Sequence, residues 1–140
     1  MTQAQEKHTS RESRQPTSFD VARMVVEASH GAKGQDVSVL DVREVFDMAD
    51  YFIVVSGRSD RQSQGICNKI LQRLEQEGVK PAMVEGFDDG HWILLDIGDV
   101  IVHVFYEPIR EHYDLEGLWI NARRLSVIEH GDRTEIREAA

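Results

Sequence analysis

The amino-acid sequence predicts an α/β fold, in which a mixed sheet of about five strands is covered by helices mainly on one face. Three observations support this prediction. Two long segments place apolar residues at helical spacing, and several short runs are rich in β-branched residues. The pair Gly98-Asp99 separates two of these runs by the length of a tight hairpin turn. The predicted order is helix, strand, strand, helix, three strands and helix, which fits one domain in a chain of 140 residues.

The first helix and the two strands after it are defined by the residues at their ends. Ser18 is of a residue type that caps helices, and Gly31 and Gly34 provide the exit. Strands are expected over 37–42 and 51–56, because both runs are short, rich in β-branched residues and bounded by polar residues or Gly. One stripe of the helix would face the sheet through Phe19, Ala22, Val25, Val26 and Ser29.

The second helix is expected to begin at Ser59, where Gln62 completes a capping box. Gly78 would end this helix and Pro81 would prevent its return. At its position on the apolar face, the Cys67 thiol is expected to be buried and inert rather than a nucleophile. The apolar positions that would pack on the sheet repeat every four residues, at Ile66, Ile70 and Leu74, with Cys67 and Leu71 beside them.

The hairpin predicted over residues 91–106 has two chemically different faces. A short strand over 81–85 precedes it, and a helix from Pro108 to about Trp119 follows it. With a side-chain period of two, its aliphatic face pairs Ile97 with Val100, Leu95 with Val102 and Ile93 with Val104. The opposite face, here called the hairpin face, pairs Trp92 with Phe105, Leu94 with His103 and Asp96 with Ile101.

The composition of the hairpin face is typical of a protein-binding patch. A buried face rarely holds an unpaired Asp together with a His, and a solvated face rarely exposes Trp, Phe, Leu and Ile in one row. We therefore expect the aliphatic face to lie beneath the helices and the hairpin face to stay open for a partner. The alternative is that another helix covers Trp92 and Phe105 as core residues, and Asp96 on the same face argues against it.

The overall composition narrows the class of protein. Hydrophobic residues make up 41% of the chain and charged residues 29%, as in ordinary soluble domains. The net charge of −9 favours a basic protein partner over sequence-specific contact with nucleic acid, because phosphates would be repelled. A single cysteine cannot form an internal disulfide, and the N-terminus lacks the apolar core of a signal peptide. No apolar run approaches the roughly 20 residues that span a bilayer, so we expect a cytoplasmic protein without membrane insertion.

A motif in the hairpin gives the chain a family resemblance. Residues 92–104 read WILLDIGDVIVHV, a Trp followed by an aliphatic run and then Asp-x-Gly-Asp-x-x-Val-His-Val. Residues 47–57 (DMADYFIVVSG), 84–86 (VEG) and 112–119 (HYDLEGLW) agree with the same pattern. In these segments the chain resembles the bacterial ribosomal silencing factor family, RsfS, also called Iojap. An ordered series of matches over roughly residues 18–119 is much more specific than one short motif.

The extent of the resemblance sets the expected domain boundaries. Residues 18–119 are taken as the RsfS-like domain. Residues 1–17 are polar and without hydrophobic periodicity, so a disordered tail is expected there. Residues 120–140 return to a polar, mixed-charge pattern and are expected to form a loosely ordered extension. The apolar residues that could dock this extension locally are Leu125, Val127 and Ile128.

The resemblance also carries expectations about fold and function. It implies a nucleotidyltransferase-like α/β sandwich, and this fold name by itself implies no activity. It implies binding to the large ribosomal subunit through its fourteenth protein, on the surface that the small subunit must approach. Occupation of that surface would block subunit joining and repress translation when nutrients are scarce. Members of the family form homodimers, so the resemblance implies self-association as well, and it implies no cofactor.

Two other classes of function stay open at this point. Nucleotidyltransferases of this fold place a Gly-Ser pair at a strand-to-helix turn, followed by carboxylates that hold metal ions. The segment Gly57-Arg58-Ser59 lies at such a turn, but the Gly-Ser order is absent and no convergent set of carboxylates follows. We therefore expect no enzyme, with an atypical nucleotide site as one alternative. The second alternative is a self-associating module that pairs through its apolar hairpin face.

No metal site is predicted on the hairpin face. Asp96 and His103 lie diagonally to each other, but two groups are too few for a closed site, and no His or Cys spacing typical of zinc occurs. Both side chains are expected to make polar contacts within a mostly apolar interface. The acidic turn over 87–90 is expected to be a solvated turn, with steering of a basic partner as an additional contribution.

Overall fold

The computed structural model describes residues 15–131 and 133–138, so most of the predicted N-terminal tail, residues 1–14, lies outside the described residues. The helices are α1 (Ser18–Gly31), α2 (Asp60–Gln76), α3 (Glu107–Tyr113) and α4 (Leu115–Leu118). The strands are β1 (Gln35–Asp41), β2 (Tyr51–Gly57), β3 (Met83–Glu85), β4 (Trp92–Asp96), β5 (Val100–Tyr106), β6 (Arg123–His130) and β7 (Arg133–Glu138). The predicted α/β class and the order of the first eight elements are confirmed.

The described strands form one mixed sheet in the order β3-β4-β5-β2-β1-β6-β7. Neighbouring strands are antiparallel except β2 and β5, which run parallel in the middle of the sheet. Every residue of β2 is buried, as expected of a central strand with both faces covered. The sheet has seven strands where about five were predicted, because two further strands follow the last predicted helix.

The hairpin of β4 and β5 has the predicted register. Trp92 lies opposite Phe105, Leu94 opposite His103 and Asp96 opposite Ile101. At the turn, the Ile97 amide donates to the Val100 carbonyl at 2.9 Å. Gly98 adopts a φ of 76°, a left-handed conformation that glycine reaches without steric cost.

The two long helices, α1 and α2, cover one face of the sheet and enclose the main core. The side chains that point to them from the hairpin belong to its aliphatic face, and Ile93, Leu95 and Val104 are fully buried there. Cys67 lies in the same core, which confirms its predicted burial, and burial raises the pKa of its thiol to about 11, which disfavours the reactive thiolate. The first helix is capped by Thr17 rather than by Ser18, because Thr17 and Asp20 form a reciprocal capping box.

A strap of residues 107–122 covers part of the opposite face of the sheet. Within it, the helix predicted over 108–119 is wrong as one continuous element, because it breaks between α3 and α4 at Asp114. Asp114 has a left-handed φ of 47°, and its side chain accepts a hydrogen bond from the Gly117 amide at 3.2 Å. A Cβ atom at position 117 would meet that carboxylate, so a larger residue there would displace the Asp114 side chain from this contact.

The expectation of a loosely ordered extension over 120–140 is wrong for most of its length. Strand β6 pairs with β1, which places Leu125 opposite Val39, and β7 pairs with β6. Leu125 and Ile136 are buried in the main core. The His30 imidazole and the Glu129 carboxylate, 3.0 Å apart, join β6 to α1. Residues 123–130 and 133–138 are therefore part of the sheet.

No described helix has both the length and the apolar content needed to cross a membrane.

Candidate partner-docking site

The hairpin brings the six residues of the hairpin face together as the sequence predicts, but it does not leave all of them open. Four of them are half-buried, and two are buried, with 5% of His103 and none of Phe105 exposed. The prediction of an entirely open face is therefore wrong at these two positions. The half-buried members are Trp92, Leu94, Asp96 and Ile101.

The strap covers Phe105, whereas His103 is enclosed by the rings of Phe52, Trp92 and Phe105. Phe105 packs with Val54 of the central strand and with Leu115 of α4. Trp92 lies at the border, with its ring 4.8 Å from that of Phe105 and 4.9 Å from that of Tyr113 in the strap. The alternative in which these aromatic residues are core therefore describes Phe105, whereas Trp92 keeps part of its surface in solvent.

The second contact of the strap with the sheet is made by Trp119. Its ring meets that of Phe52 at right angles, with a distance of 5.1 Å between centroids, and that of Phe46 at 5.2 Å. Ile101 of the hairpin face packs against the same cluster. Edge-to-face contacts of this kind stabilise an aromatic cluster beyond the area that it buries. The cluster joins the strap, the loop between β1 and β2, and the hairpin face.

His103 is held inside the hairpin face as a neutral ring. The indole Nε1 of Trp92 donates a hydrogen bond to His103 Nδ1 at 3.1 Å. Burial lowers the pKa of His103 to about 4, since a charged imidazole would lose its hydration among the surrounding rings. Because Nδ1 accepts, the proton of the neutral ring lies on Nε2, which is buried and hydrogen-bonded to no described group.

Asp96 serves the hairpin turn. Its Oδ1 accepts a hydrogen bond from the Gly98 amide at 3.0 Å, a local contact typical of Asp at turns. Among residues 15–131 and 133–138, no group of three or more His, Cys, Asp or Glu side chains could hold a metal ion.

An apolar rim, defined here as Met48, Met83, Leu118 and Ile120, was missed by the sequence analysis. Met83 of β3 pairs with Asp96 and therefore lies on the same side of the sheet as the hairpin face. Leu118 and Ile120 flank Trp119 in the strap and are 74% and 77% exposed. Met48, 74% exposed, precedes Ala49, which packs in the Phe52 cluster. The signal in the sequence was the apolar run around Trp119, which ends in Ile120 beyond any helical stripe.

The turn at Gly57-Arg58-Ser59, the candidate nucleotide position, is occupied by contacts that start helix α2. Ser59 Oγ accepts from the Gln62 amide at 3.0 Å, and the Arg58 amide donates to the Gln62 side-chain oxygen at 2.6 Å. Ser63 packs directly against Gly57, so that a Cβ atom there would lie 2.9 Å from the Ser63 nitrogen. The Arg58, Ser59 and Gln62 groups satisfy one another, which favours a structural role for the turn, although the buried Ser63 hydroxyl has no hydrogen-bond partner among the described groups.

Comparison with known proteins gives one consistent result. A family model described as "Ribosomal silencing factor during starvation" matches residues 15–140. Ribosomal silencing factor RsfS of Bacillus subtilis is 36% identical over 102 residues, which cover 73% of this chain and 86% of that relative. A crystal structure of a protein from Chromobacterium violaceum superposes with a TM-score of 0.72 at 34% identity, covering 74% of this chain and 86% of that one. The Mus musculus protein named "Mitochondrial assembly of ribosomal large subunit protein 1" is 29% identical, covering 72% of this chain and 45% of that protein.

Proposed function

Since the chain belongs to the ribosomal silencing factor family, we propose that it binds the large ribosomal subunit through its fourteenth protein and so blocks joining of the small subunit. This activity represses translation when nutrients are limiting, and it takes place in the cytoplasm. It needs no catalysis and no cofactor, only an interface of ordinary size that excludes the small subunit. The name of the mouse relative, which refers to the ribosomal large subunit, supports that subunit as the partner.

The observation that carries the proposal is the apolar surface made by the exposed part of the hairpin face and the apolar rim. Monomeric proteins rarely expose several large apolar side chains near one another without a binding role, and each rim residue pairs with Asp96 or is next in sequence to a residue of the Phe52 cluster. Half-buried aromatic residues such as Trp92 and Trp119 at the centre of such a surface are typical anchors of interfaces. The net charge of −9 adds long-range attraction towards a basic ribosomal protein. In the absence of ribosomes, the same surface serves self-association, so a homodimer and the ribosome-bound monomer compete for it.

The test of this function is co-sedimentation with separated ribosomal subunits. The wild-type protein is expected to sediment with large subunits and not with small subunits, because its docking surface is specific to one partner. Ile120→Glu places a charge on the apolar rim at a side chain that is 77% exposed, so it should leave the fold intact and weaken binding by roughly thirtyfold, about 2 kcal/mol.

The matched control for this test is Asn68→Glu. It makes the same change in charge on the exposed side of α2, away from the hairpin face, and should bind as the wild type does. Equal recovery of the wild type with small subunits would contradict the function. Wild-type binding by Ile120→Glu would place the docking surface elsewhere.

A further inference from the structure

The strap carries two residues of the apolar rim, and its main apolar contacts with the sheet are those of Leu115 and Trp119, described above. None of the seven described residues of α3 is buried, and in α4 only Leu115 is. Leu118 and Ile120 themselves point into solvent. Because α3 has no fully buried side chain, this helix would be free to shift over the sheet unless polar interactions fixed its position.

The interactions that fix the strap are made by Arg110 of α3 and Glu116 of α4. The guanidinium binds the carboxylate in a bidentate manner, with Nε to Oε1 at 3.1 Å and Nη2 to Oε2 at 2.8 Å. Its Nη1 donates to Ser56 Oγ in β2 at 2.9 Å, and Ser38 Oγ in β1 donates to Glu116 Oε2 at 2.9 Å. The pair therefore links both helices of the strap to two strands of the sheet.

The pair is largely shielded from water and Glu116 is ionised within it. Only 12% of the Arg110 side chain and 17% of the Glu116 side chain are exposed. Burial alone would raise the pKa of Glu116, but the hydrogen bonds from Arg110 and Ser38 and the charges of Arg110 and Arg124 hold it below its ordinary value. Arg124 of β6 adds a third contact to the carboxylate at 2.8 Å. The Glu116 carboxylate thus joins α3, β1 and β6.

We propose that Arg110 and Glu116 are positioning residues for partner docking, which hold the strap in one orientation so that Leu118 and Ile120 are presented together with the hairpin face. The inference rests on the proposed function, since it assigns these residues a part in the same docking surface. A bidentate arginine–carboxylate pair fixes direction as well as distance. A surface that is ordered before binding loses less entropy when the partner arrives.

Stability alone does not explain the pair. Replacement of a buried ion pair by neutral groups of similar volume is often neutral or even stabilising, whereas loss of one partner leaves an uncompensated charge. The decisive variant therefore changes both residues, as Arg110→Met/Glu116→Gln. The glutamine retains an acceptor for Ser38 and leaves no buried charge without a partner.

In this double variant we expect the strap to lose its fixed position while the fold is retained. Its melting temperature should stay close to that of the wild type. Hydrogen exchange should become faster in residues 107–122 and stay unchanged in the central strands β2 and β5. The affinity for large subunits should fall by about tenfold or more, because the strap must be ordered again on binding.

The matched control is Arg137→Met/Glu135→Gln in β7, which removes an arginine–glutamate pair of the same chemistry away from the strap. It should change neither the exchange of the strap nor the affinity for large subunits. Wild-type affinity in a folded Arg110→Met/Glu116→Gln variant, or unchanged exchange in its strap, would overturn the inference. If the wild type itself does not bind large subunits, the proposed function fails. Faster hydrogen exchange confined to the strap of the double variant would still show that Arg110 and Glu116 anchor it.

Discussion

Burial makes His103 a neutral ring that organises its surroundings. Its Nδ1 receives the Trp92 indole hydrogen at 3.1 Å, and its ring lies 5.5 Å from that of Phe52 and 6.2 Å from that of Phe105. Protonation would place a charge among these aromatic rings and would remove the acceptor of Trp92. His103 therefore fixes the position of the Trp92 ring through this hydrogen bond, while Trp92 keeps part of its surface exposed.

The first prediction concerns the pH dependence of stability. The pKa of His103 is about 4 in the folded protein against 6.5 ordinarily, so the unfolded chain binds more protons between these values. The stabilising contribution of the neutral ring is complete above about pH 6.5 and is lost as the pH falls towards 4. Between pH 7 and pH 5 this loss corresponds to about 2 kcal/mol in the free energy of unfolding.

This loss is measured by urea unfolding of the wild type and of His103→Phe at the two pH values. The phenylalanine has no proton to gain, so its free energy of unfolding should fall by about 2 kcal/mol less than that of the wild type. Carboxylates that lose stability in acid contribute equally to both proteins. If the free energy of unfolding depended on pH equally in the two proteins, the lowered pKa of His103 would be contradicted.

Among the secondary-structure elements, those that depend on local signals could be predicted and those that depend on distant contacts could not. The hairpin register follows from the turn at Gly98 and from strict alternation in β4 and β5, both of which are local in sequence. The break in the strap depends on the Asp114 side chain reaching the Gly117 amide, a local contact that competes with an otherwise helical pattern.

At the candidate site, too, the features that depend on distant contacts could not be predicted from the sequence. The six residues of the hairpin face could be grouped by alternation alone, but the burial of Phe105 depends on Leu115 and Trp119. These residues lie in the strap, and nothing in the hairpin pattern shows where the strap packs. The strand β6 was not predicted because its apolar residues, Leu125, Val127 and Ile128, lie between Arg124 and Glu129 in a mostly polar segment, and because its partner β1 lies far away in sequence.

The second prediction tests the element that the sequence analysis left out. Leu125 of β6 is 7% exposed and packs in the main core, so Leu125→Ala should destabilise the protein by about 3 kcal/mol through loss of burial and formation of a cavity. The control is the same substitution at Leu118, which is 74% exposed and should cost less than about 0.5 kcal/mol. Urea unfolding of both variants gives the comparison. A small effect at Leu125 would mean that β6 is only loosely attached.

For the molecule as a whole, net charge and the exposed apolar side chains favour a protein partner over ribosomal RNA. The net charge of −9 opposes close approach to phosphates, and the candidate surface is apolar at its centre. A ribosome offers both kinds of surface, so co-sedimentation with large subunits does not by itself distinguish them. The dependence of the affinity on salt does distinguish them, because release of counterions from RNA leaves a characteristic slope.

The third prediction is that affinity for large subunits falls by less than about tenfold between 50 and 200 mM salt, since apolar contacts dominate and only long-range attraction is screened. A protein that contacts six to ten phosphates would lose roughly a thousandfold or more over the same range. Measurement of the dissociation constant at four salt concentrations within that range gives the slope. Ile120→Glu should weaken binding at every concentration and leave the slope almost unchanged, because it alters the apolar rim and no phosphate contact. A steep slope in the wild type would instead place RNA at the interface and would contradict docking through a ribosomal protein alone.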